Sequence, residues 1–136
     1  MKKLEPARPA STPKAKRGRP GIFLRRIYDP PATTHGSAFL VDRIWPRGIT
    51  KSRLSDLNVT WLPAVAPSTA LRKWFGHKPA RWMEFRRRYL GELEDNRAAL
   101  KPLFEAFRKS DVTLLFSARD MEMNQAVVLK EFLGRE

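Results

Sequence analysis

Three short apolar runs along the chain predict β-strands. The first spans residues 22–28 and ends at Asp29-Pro30-Pro31, the second spans residues 38–41, and the third spans residues 112–116. The second run is continuously apolar, as in a strand that is covered on both faces of a sheet. Because the link between the first two runs is shorter than a parallel crossover normally requires, the direction of the first strand stays open.

The spacing of apolar and capping residues predicts about five helices. They are a short helix capped by Thr50 and ending at Leu57, a helix over residues 69–75 between Ser68 and Gly76, a long helix with Pro79 in its first turn, a helix with Pro102 near its start that ends near Lys109, and a closing helix over residues 124–133. In the long helix, the apolar side chains recur at helical spacing, which indicates core positions. The pattern predicts one small α/β domain, with a short sheet of three or more strands packed by these helices.

The N-terminal segment differs from the rest of the chain. Residues 1–21 contain four prolines among Lys, Arg, Ala and Ser, with almost nothing to bury. Such a segment cannot offset the entropy of ordering its backbone, so it is predicted to be a disordered basic tail. The ordered domain is predicted to span residues 22–136, a length that fits a single domain.

Net charge points to an anionic partner. The chain carries 27 Lys and Arg against 14 Asp and Glu, a net charge of +13. Seven cations and one acid lie in residues 1–21, which gives +6 there and leaves +7 for the domain. Nucleic acid, a phosphorylated ligand or a membrane surface would each match this charge. A generally cationic domain with no defined anion site matches it equally well.

Other features of the composition narrow the function classes. The chain has no cysteine, which excludes disulfides, thiolate metal sites and cysteine nucleophiles. Its two histidines, His35 and His77, are too few to indicate a metal site, and no cofactor is predicted. No apolar run approaches the roughly 18 residues of a membrane span, and no secretory signal is recognisable. We therefore expect a cytoplasmic protein with no membrane partner, and the oligomeric state stays open.

Two polar clusters follow predicted strands, where ligands collect in open α/β sheets. The residues singled out as ligand-binding candidates are Arg43, Trp45 and Arg47 after the second strand and Ser117, Arg119 and Asn124 after the third. The three arginines could bind phosphate or carboxylate, and Asp42 or Asp120 could orient an arginine or act as a general base. In the structural alternative, Asp42 only pairs with an arginine and Asp120 only caps the last helix. If the strands are parallel neighbours, the two clusters share one edge of the sheet.

Two further basic segments have competing interpretations. Residues 71–77 combine cations, aromatics and a histidine, a mixture that suits stacking on a base or sugar. Trp74 and Phe75 at a helix end are nevertheless more typical of core and cap. Residues 86–88 are three consecutive arginines, and because consecutive residues spread around a helix, a solvated face is favoured over a nucleic-acid stripe.

The chain resembles a known family in several segments. They are YDPP at 28–31, VDRIWPRG at 41–48, APST at 66–69, LRKWFGH at 71–77, and SARD at 117–120 with Asn124. Together these are similar to the YeaO-like proteins, an uncharacterised bacterial family classed as a domain of unknown function. The resemblance covers nearly all of residues 27–133 and implies fold and kinship, with no activity to carry over. A more distant branch carries cysteine and histidine where this chain has Ser117 and Asn124, so thiol or metal chemistry does not transfer.

The tail resembles an AT-hook, a short motif that lies extended in the minor groove of A/T-rich DNA. The matching residues are Lys16, Arg17, Gly18, Arg19 and Pro20. Narrow A/T grooves attract inserted arginines, and glycine permits close backbone approach. Two function hypotheses follow: a domain that binds an anionic small molecule and could be an enzyme, and a DNA-binding accessory protein that uses the tail. A protein–protein adaptor ranks last, since no apolar segment exceeds the needs of the core.

Overall fold

A computed structural model describes residues 20–29 and 36–135 and shows one α/β domain. The strands are β1 (Ile22–Arg26), β2 (Ser37–Leu40), β3 (Val59–Trp61) and β4 (Val112–Phe116). The helices are α1 (Lys51–Asp56), α2 (Thr69–Phe75), α3 (Trp82–Asp95), α4 (Lys101–Lys109) and α5 (Gln125–Gly134). Single 3-10 turns lie at Pro63–Val65, Pro79–Arg81 and Arg97–Leu100.

The sheet is parallel throughout, with the strand order β1-β4-β2-β3. The last strand in sequence is therefore central, and it pairs with β1 on one side and with β2 on the other. In register, Ile22 lies beside Val112, and Ser37 lies beside the same residue from the other strand. The direction of the first strand is thereby settled. Because β4 separates β1 from β2, their short connection does not link adjacent strands.

Side chains alternate between two apolar clusters on the two faces of the sheet. The larger cluster contains Leu114 and Phe116 of β4 and the inward faces of α2, α3, α4 and α5. The smaller cluster contains Leu40 and Leu115 and is covered by Leu54 of α1, with Trp45 and Trp61 packed against it. Every residue of β4 is buried. Two covered faces explain why four of its five residues are apolar and why it shows no alternation of apolar and polar residues.

Most predicted elements are confirmed, with changes at their ends. β1 stops at Arg26, before the predicted limit at Tyr28, and Pro79 lies in the 3-10 turn that leads into α3 rather than in the helix itself. The sequence interpretation missed β3, a strand of three residues. No helix within the described ranges has the length and apolar character that crossing a bilayer would require.

The N-terminal boundary of the described structure lies close to the predicted one. Gly21, assigned to the tail by sequence, donates its backbone N–H to Oδ1 of Asp111 at 2.8 Å, and its carbonyl accepts from Val112 N at 3.0 Å. These bonds attach Gly21 to the start of β4. Of the AT-hook-like residues, only Pro20 is described, and Lys16, Arg17, Gly18 and Arg19 lie outside the described residues.

Candidate functional site

A cavity of about 160 Å³ lies at the carboxyl edge of the sheet, beyond the ends of β2 and β4. The loops that follow these two strands contribute to its wall, together with α2, α3 and the start of α5. Its lining residues are Asp42, Arg43, Ile44, Ala66, Pro67, Arg72, Phe75, His77, Phe85, Ser117, Ala118, Asn124 and Gln125. The two predicted clusters meet here, because β2 and β4 are parallel neighbours that end at the same edge.

Asp42 joins the two clusters. Its carboxylate accepts a hydrogen bond from the backbone N–H of Ser117 at 3.1 Å and another from the side-chain amide of Gln125 at 2.6 Å. Burial raises the pKa of Asp42 above its ordinary value, although these hydrogen bonds and the nearby charge of His77 oppose that shift. The carboxyl group therefore holds the end of β2 against the start of the loop that follows β4.

Arg43 connects this edge to the segment before α2. Its Nε donates to the carbonyl of Pro67 at 2.8 Å, and its Nη2 donates to the carbonyl of Ala66 at 3.2 Å. The side chain thus lines the cavity while two of its nitrogens are committed to backbone acceptors. Within the described residues, Asp42 forms no ion pair with an arginine, so the alternative role considered for it from sequence is not observed.

Arg72 comes from α2, whose position is fixed at both ends. Ser68 caps the helix by accepting from Leu71 N at 3.2 Å, and Glu92 of α3 accepts from both the N–H and the hydroxyl of Ser68. Gly76 ends the helix in the left-handed conformation at φ 52°. Arg72 lines the cavity, and its Nε is buried without a hydrogen-bond partner in the described part of the chain.

His77 follows Gly76 and also has a positive φ, of 57°. Such a backbone conformation is uncommon for a residue with a Cβ atom. It places the imidazole ring near the Phe75 ring, with centroids 5.9 Å apart, and in the cavity wall. The sequence interpretation treated this segment as core and cap, which holds for the buried Phe75 but overlooks Arg72 and His77 as lining residues.

The N-terminus of α5 closes the cavity on the β4 side. Asn124 is buried, its Oδ1 accepts from Val127 N at 3.2 Å, and its Nδ2 donates to the carbonyl of Asp120 at 2.8 Å. Gln125 donates its side-chain amide to Asp42. Asn124 is therefore foremost the cap of the helix, and both side chains fix the position of α5 relative to β2.

Four sequence candidates lie outside the cavity lining. The indole N–H of Trp45 donates to the carbonyl of Ile49, and its ring packs edge-on against Trp61 at 5.1 Å, on the opposite face of the sheet. Arg47 is exposed, and its backbone carbonyl accepts from the hydroxyl of Tyr28 at 2.7 Å. Trp45 is therefore a packing residue, and the structure does not bring Arg47 into the cavity.

Arg119 and Asp120 are the other two sequence candidates that lie outside the cavity lining. Arg119 is exposed and follows Ala118, which does line the cavity. Asp120 accepts from the N–H groups of Glu122 and Met123 at 2.8 and 2.9 Å, which lowers the pKa of its carboxyl group. Asp120 therefore stabilises the turn before α5 and does not cap the helix, a role that Asn124 takes.

The three arginines of residues 86–88 are engaged with acids. Arg86 reaches across to Glu131 on α5, and Arg87 and Arg88 both bind Glu84 within α3. Arg87 and Arg88 are exposed, as the favoured interpretation of a solvated face expects, whereas Arg86 is half-buried between α3 and α5. Within the described residues, no three His, Asp or Glu side chains converge as metal ligands would.

Comparison with known proteins places the chain in a family. A family model described as "Inactive DUF488-N3 subclade" matches residues 21–136. The "Uncharacterized protein YeaO" of Escherichia coli (strain K12) is 40% identical over 112 residues, which cover 82% of this chain and 96% of that protein. The "Uncharacterized protein Rv3073c" of Mycobacterium tuberculosis (strain ATCC 25618 / H37Rv) is 41% identical over 114 residues, covering 83% and 93%. No solved structure matches the chain.

Proposed function

Since this chain belongs to the family described as "Inactive DUF488-N3 subclade", we propose that its domain binds a small anionic molecule in the cavity at the carboxyl edge and does not transform it. The ligand carries a phosphate or carboxylate group. The word "inactive" in the description of the family argues against catalysis. The contacts of Asp42 agree, since both of its oxygens hold Ser117 and Gln125.

The observation that supports the proposal most strongly is the buried Nε of Arg72, which has no hydrogen-bond acceptor within the described residues. A buried N–H donor without an acceptor costs about 1–3 kcal/mol, so nearly all such donors in folded proteins have a partner. The Nε of Arg72 is one of the exceptions, and its side chain lines the cavity. An anion in the cavity would supply the missing acceptor. Arginine suits this role because its Nε and an adjacent Nη form a fork that matches two oxygens of a carboxylate or phosphate.

The charge balance around Arg72 also favours an anion. Arg43 lines the same cavity, while Asp42 has the only carboxyl group among the described lining residues. Burial raises the pKa of Asp42, so its charged form is disfavoured relative to an exposed aspartate. The cavity is therefore richer in positive than in negative charge, which raises the local concentration of small anions.

The proposal is tested by titrating the full chain with inorganic phosphate and with acetate, using isothermal calorimetry or chemical-shift changes. We expect the substitution Arg72→Gln to weaken binding of the better of these anions at least about tenfold, which corresponds to 1.4 kcal/mol, because a neutral amide replaces a charged donor. The matched control is Arg47→Gln, which removes one positive charge from the same edge outside the cavity and should change the affinity less than about twofold.

Two results would contradict the proposal. One is equal weakening by both substitutions, which would mean that the anions respond to general surface charge. The other is no measurable binding of either anion by the unsubstituted chain. Thermal unfolding of both variants should be recorded first, so that a loss of binding is not confused with a loss of folded protein.

A second candidate function is DNA binding through the tail, and its support is the sequence of residues 16–20 together with the +6 charge of residues 1–21. A deletion that ends at Arg19 leaves intact the hydrogen bonds of Gly21. We expect this deletion to leave thermal stability almost unchanged and to weaken DNA binding. It should also flatten the salt dependence, by roughly 0.9 in the slope of log affinity against log salt for each phosphate that the shortened chain no longer neutralises.

The AT-hook version of this function makes a sharper prediction. The double substitution Arg17→Lys with Arg19→Lys keeps the charge and should abolish any preference for A/T-rich over G/C-rich duplex. The reason is that arginine enters a narrow groove at a lower desolvation cost than lysine. If the preference persists in the double variant, it does not come from these arginines, and the AT-hook interpretation of the tail is wrong.

A further inference from the structure

The apolar part of the cavity lining indicates what the anion is attached to. Much of the lining is apolar, contributed by Ile44, Ala66, Pro67, Phe75, Phe85 and Ala118. A bare inorganic anion interacts with donors and gains nothing from such a surface. Ligand sites that combine an apolar wall with a few placed polar groups are typical of organic molecules with one charged end.

Ile44 is the most informative of these residues. It is 57% exposed, although its side chain is large and apolar and borders a cavity. The neighbouring residues of the same segment use their side chains for structure: Arg43 binds backbone carbonyls, and the Trp45 ring packs on Trp61. No comparable contact holds Ile44 within the described residues. An apolar group of a ligand that lies against Ile44 would remove both surfaces from water, which is favourable.

The aromatic side of the cavity has a fixed shape. The Phe75 and Phe85 rings stack with centroids 4.3 Å apart and planes at 20°. Both residues are almost fully buried, so they form a rigid wall rather than a surface that adapts to a ligand. The cavity of about 160 Å³, which these rings and Ile44 line, has room for a small group.

We propose that the ligand is a small amphipathic acid, in which a carboxylate or phosphate bound by Arg72 is attached to a single compact apolar group that lies against Ile44. This inference rests on the proposed anion site and goes further by specifying the rest of the molecule. It excludes free phosphate and highly hydroxylated sugar phosphates as the ligand, because their polar groups would leave the apolar lining without a matching apolar surface.

The test compares each parent anion with a version that carries one ring: acetate with benzoate, and inorganic phosphate with phenyl phosphate. We expect the ring-bearing member of at least one pair to bind about tenfold more tightly. A tenfold gain corresponds to roughly 55 Å² of apolar surface removed from water. The substitution Ile44→Ser should remove most of that gain and leave the parent anion unaffected. The matched control is Met83→Ser on α3, because Met83 is 68% exposed but lies outside the cavity.

The outcomes separate this inference from the proposed function. If parent and ring-bearing anions bind equally in both pairs, and binding still depends on Arg72, the anion site stands and the amphipathic ligand is wrong. A ring-dependent gain that survives Ile44→Ser also overturns the inference, because the apolar contact then lies elsewhere. If no probe shows binding that depends on Arg72, the proposed function fails and this inference fails with it.

Discussion

Replacing Gly36 with alanine is expected to lower the free energy of unfolding by about 2–5 kcal/mol. Gly36 has φ +63°, a conformation that costs roughly 1–2 kcal/mol for a residue with a Cβ atom. A Cβ atom there would also lie 1.7 Å from the carbonyl oxygen of Asp111. That oxygen accepts the hydrogen bond from Ser37 N at 3.1 Å, so relief of the clash separates β2 from β4. Overpacking of this kind adds about 1–3 kcal/mol.

Two other glycines provide controls for this substitution in urea denaturation. Gly48 has φ +80° and no atom within 4 Å of where a Cβ would lie, so Gly48→Ala should show the conformational cost alone, about 1–2 kcal/mol. Gly91 lies within α3 in open space, and Gly91→Ala should stabilise the protein by about 0.5–1 kcal/mol. If the Gly36→Ala protein is as stable as the Gly48→Ala protein, the close contact between Gly36 and the Asp111 carbonyl is wrong.

Asp42→Ala is expected to cost about 2 kcal/mol or more, whereas Asp42→Asn should be close to neutral at pH 7. Alanine leaves the half-buried Ser117 N–H and Gln125 amide without their acceptor. A fully buried donor left unpaired costs about 1–3 kcal/mol, and two half-buried donors together cost about as much as one such donor. Asparagine keeps an oxygen for Ser117, and the Gln125 amide can rotate to accept from it. It also removes the cost of ionising a buried carboxyl group.

The pH dependence distinguishes the two substitutions further. Burial raises the pKa of Asp42 in the folded protein above the unfolded value of 3.8, so the folded state holds this proton more tightly. The contribution of Asp42 to stability therefore increases as pH falls through the folded pKa, and decreases as pH rises through the same window. Any advantage of Asp42→Asn over the unsubstituted protein should shrink on acidification in urea denaturation. An advantage that grows on acidification would contradict a raised pKa.

The main elements were predictable from sequence because their signals are local. The mainly apolar run of β4, the Thr50 and Ser68 caps and the Gly76 terminator each depend on a few neighbouring residues. β3 was missed because three residues are too few to show a period. Its one local signal is Asn58, which has φ 60° between α1 and β3, a position that asparagine tolerates better than most residues. The central place of β4 depends on contacts between distant segments, which no local pattern contains.

The same distinction applies to the cavity. The position of Asp42, Arg43, Ser117 and Asn124 was predictable because they directly follow strands or begin a helix. Arg72 was not singled out, since its inward direction depends on how α2 packs on α3 through the contact between Ser68 and Glu92. Arg47 and Trp45 carry the right chemistry for a site, but the chain turns away from the cavity after Ile44. Residue type alone does not show which side of the sheet a loop covers.

The most direct test of an anion site in this cavity is to follow the Nε–Hε signal of Arg72 in a ¹⁵N spectrum of the full chain during a phosphate titration. We expect this signal to shift and saturate with the same dissociation constant as the backbone amides of Ser117 and Ala118, which line the same cavity. The Arg72→Gln protein identifies the signal. An Arg72 signal that stays in place, while signals of exposed cations elsewhere shift without saturating, would contradict an anion site in this cavity.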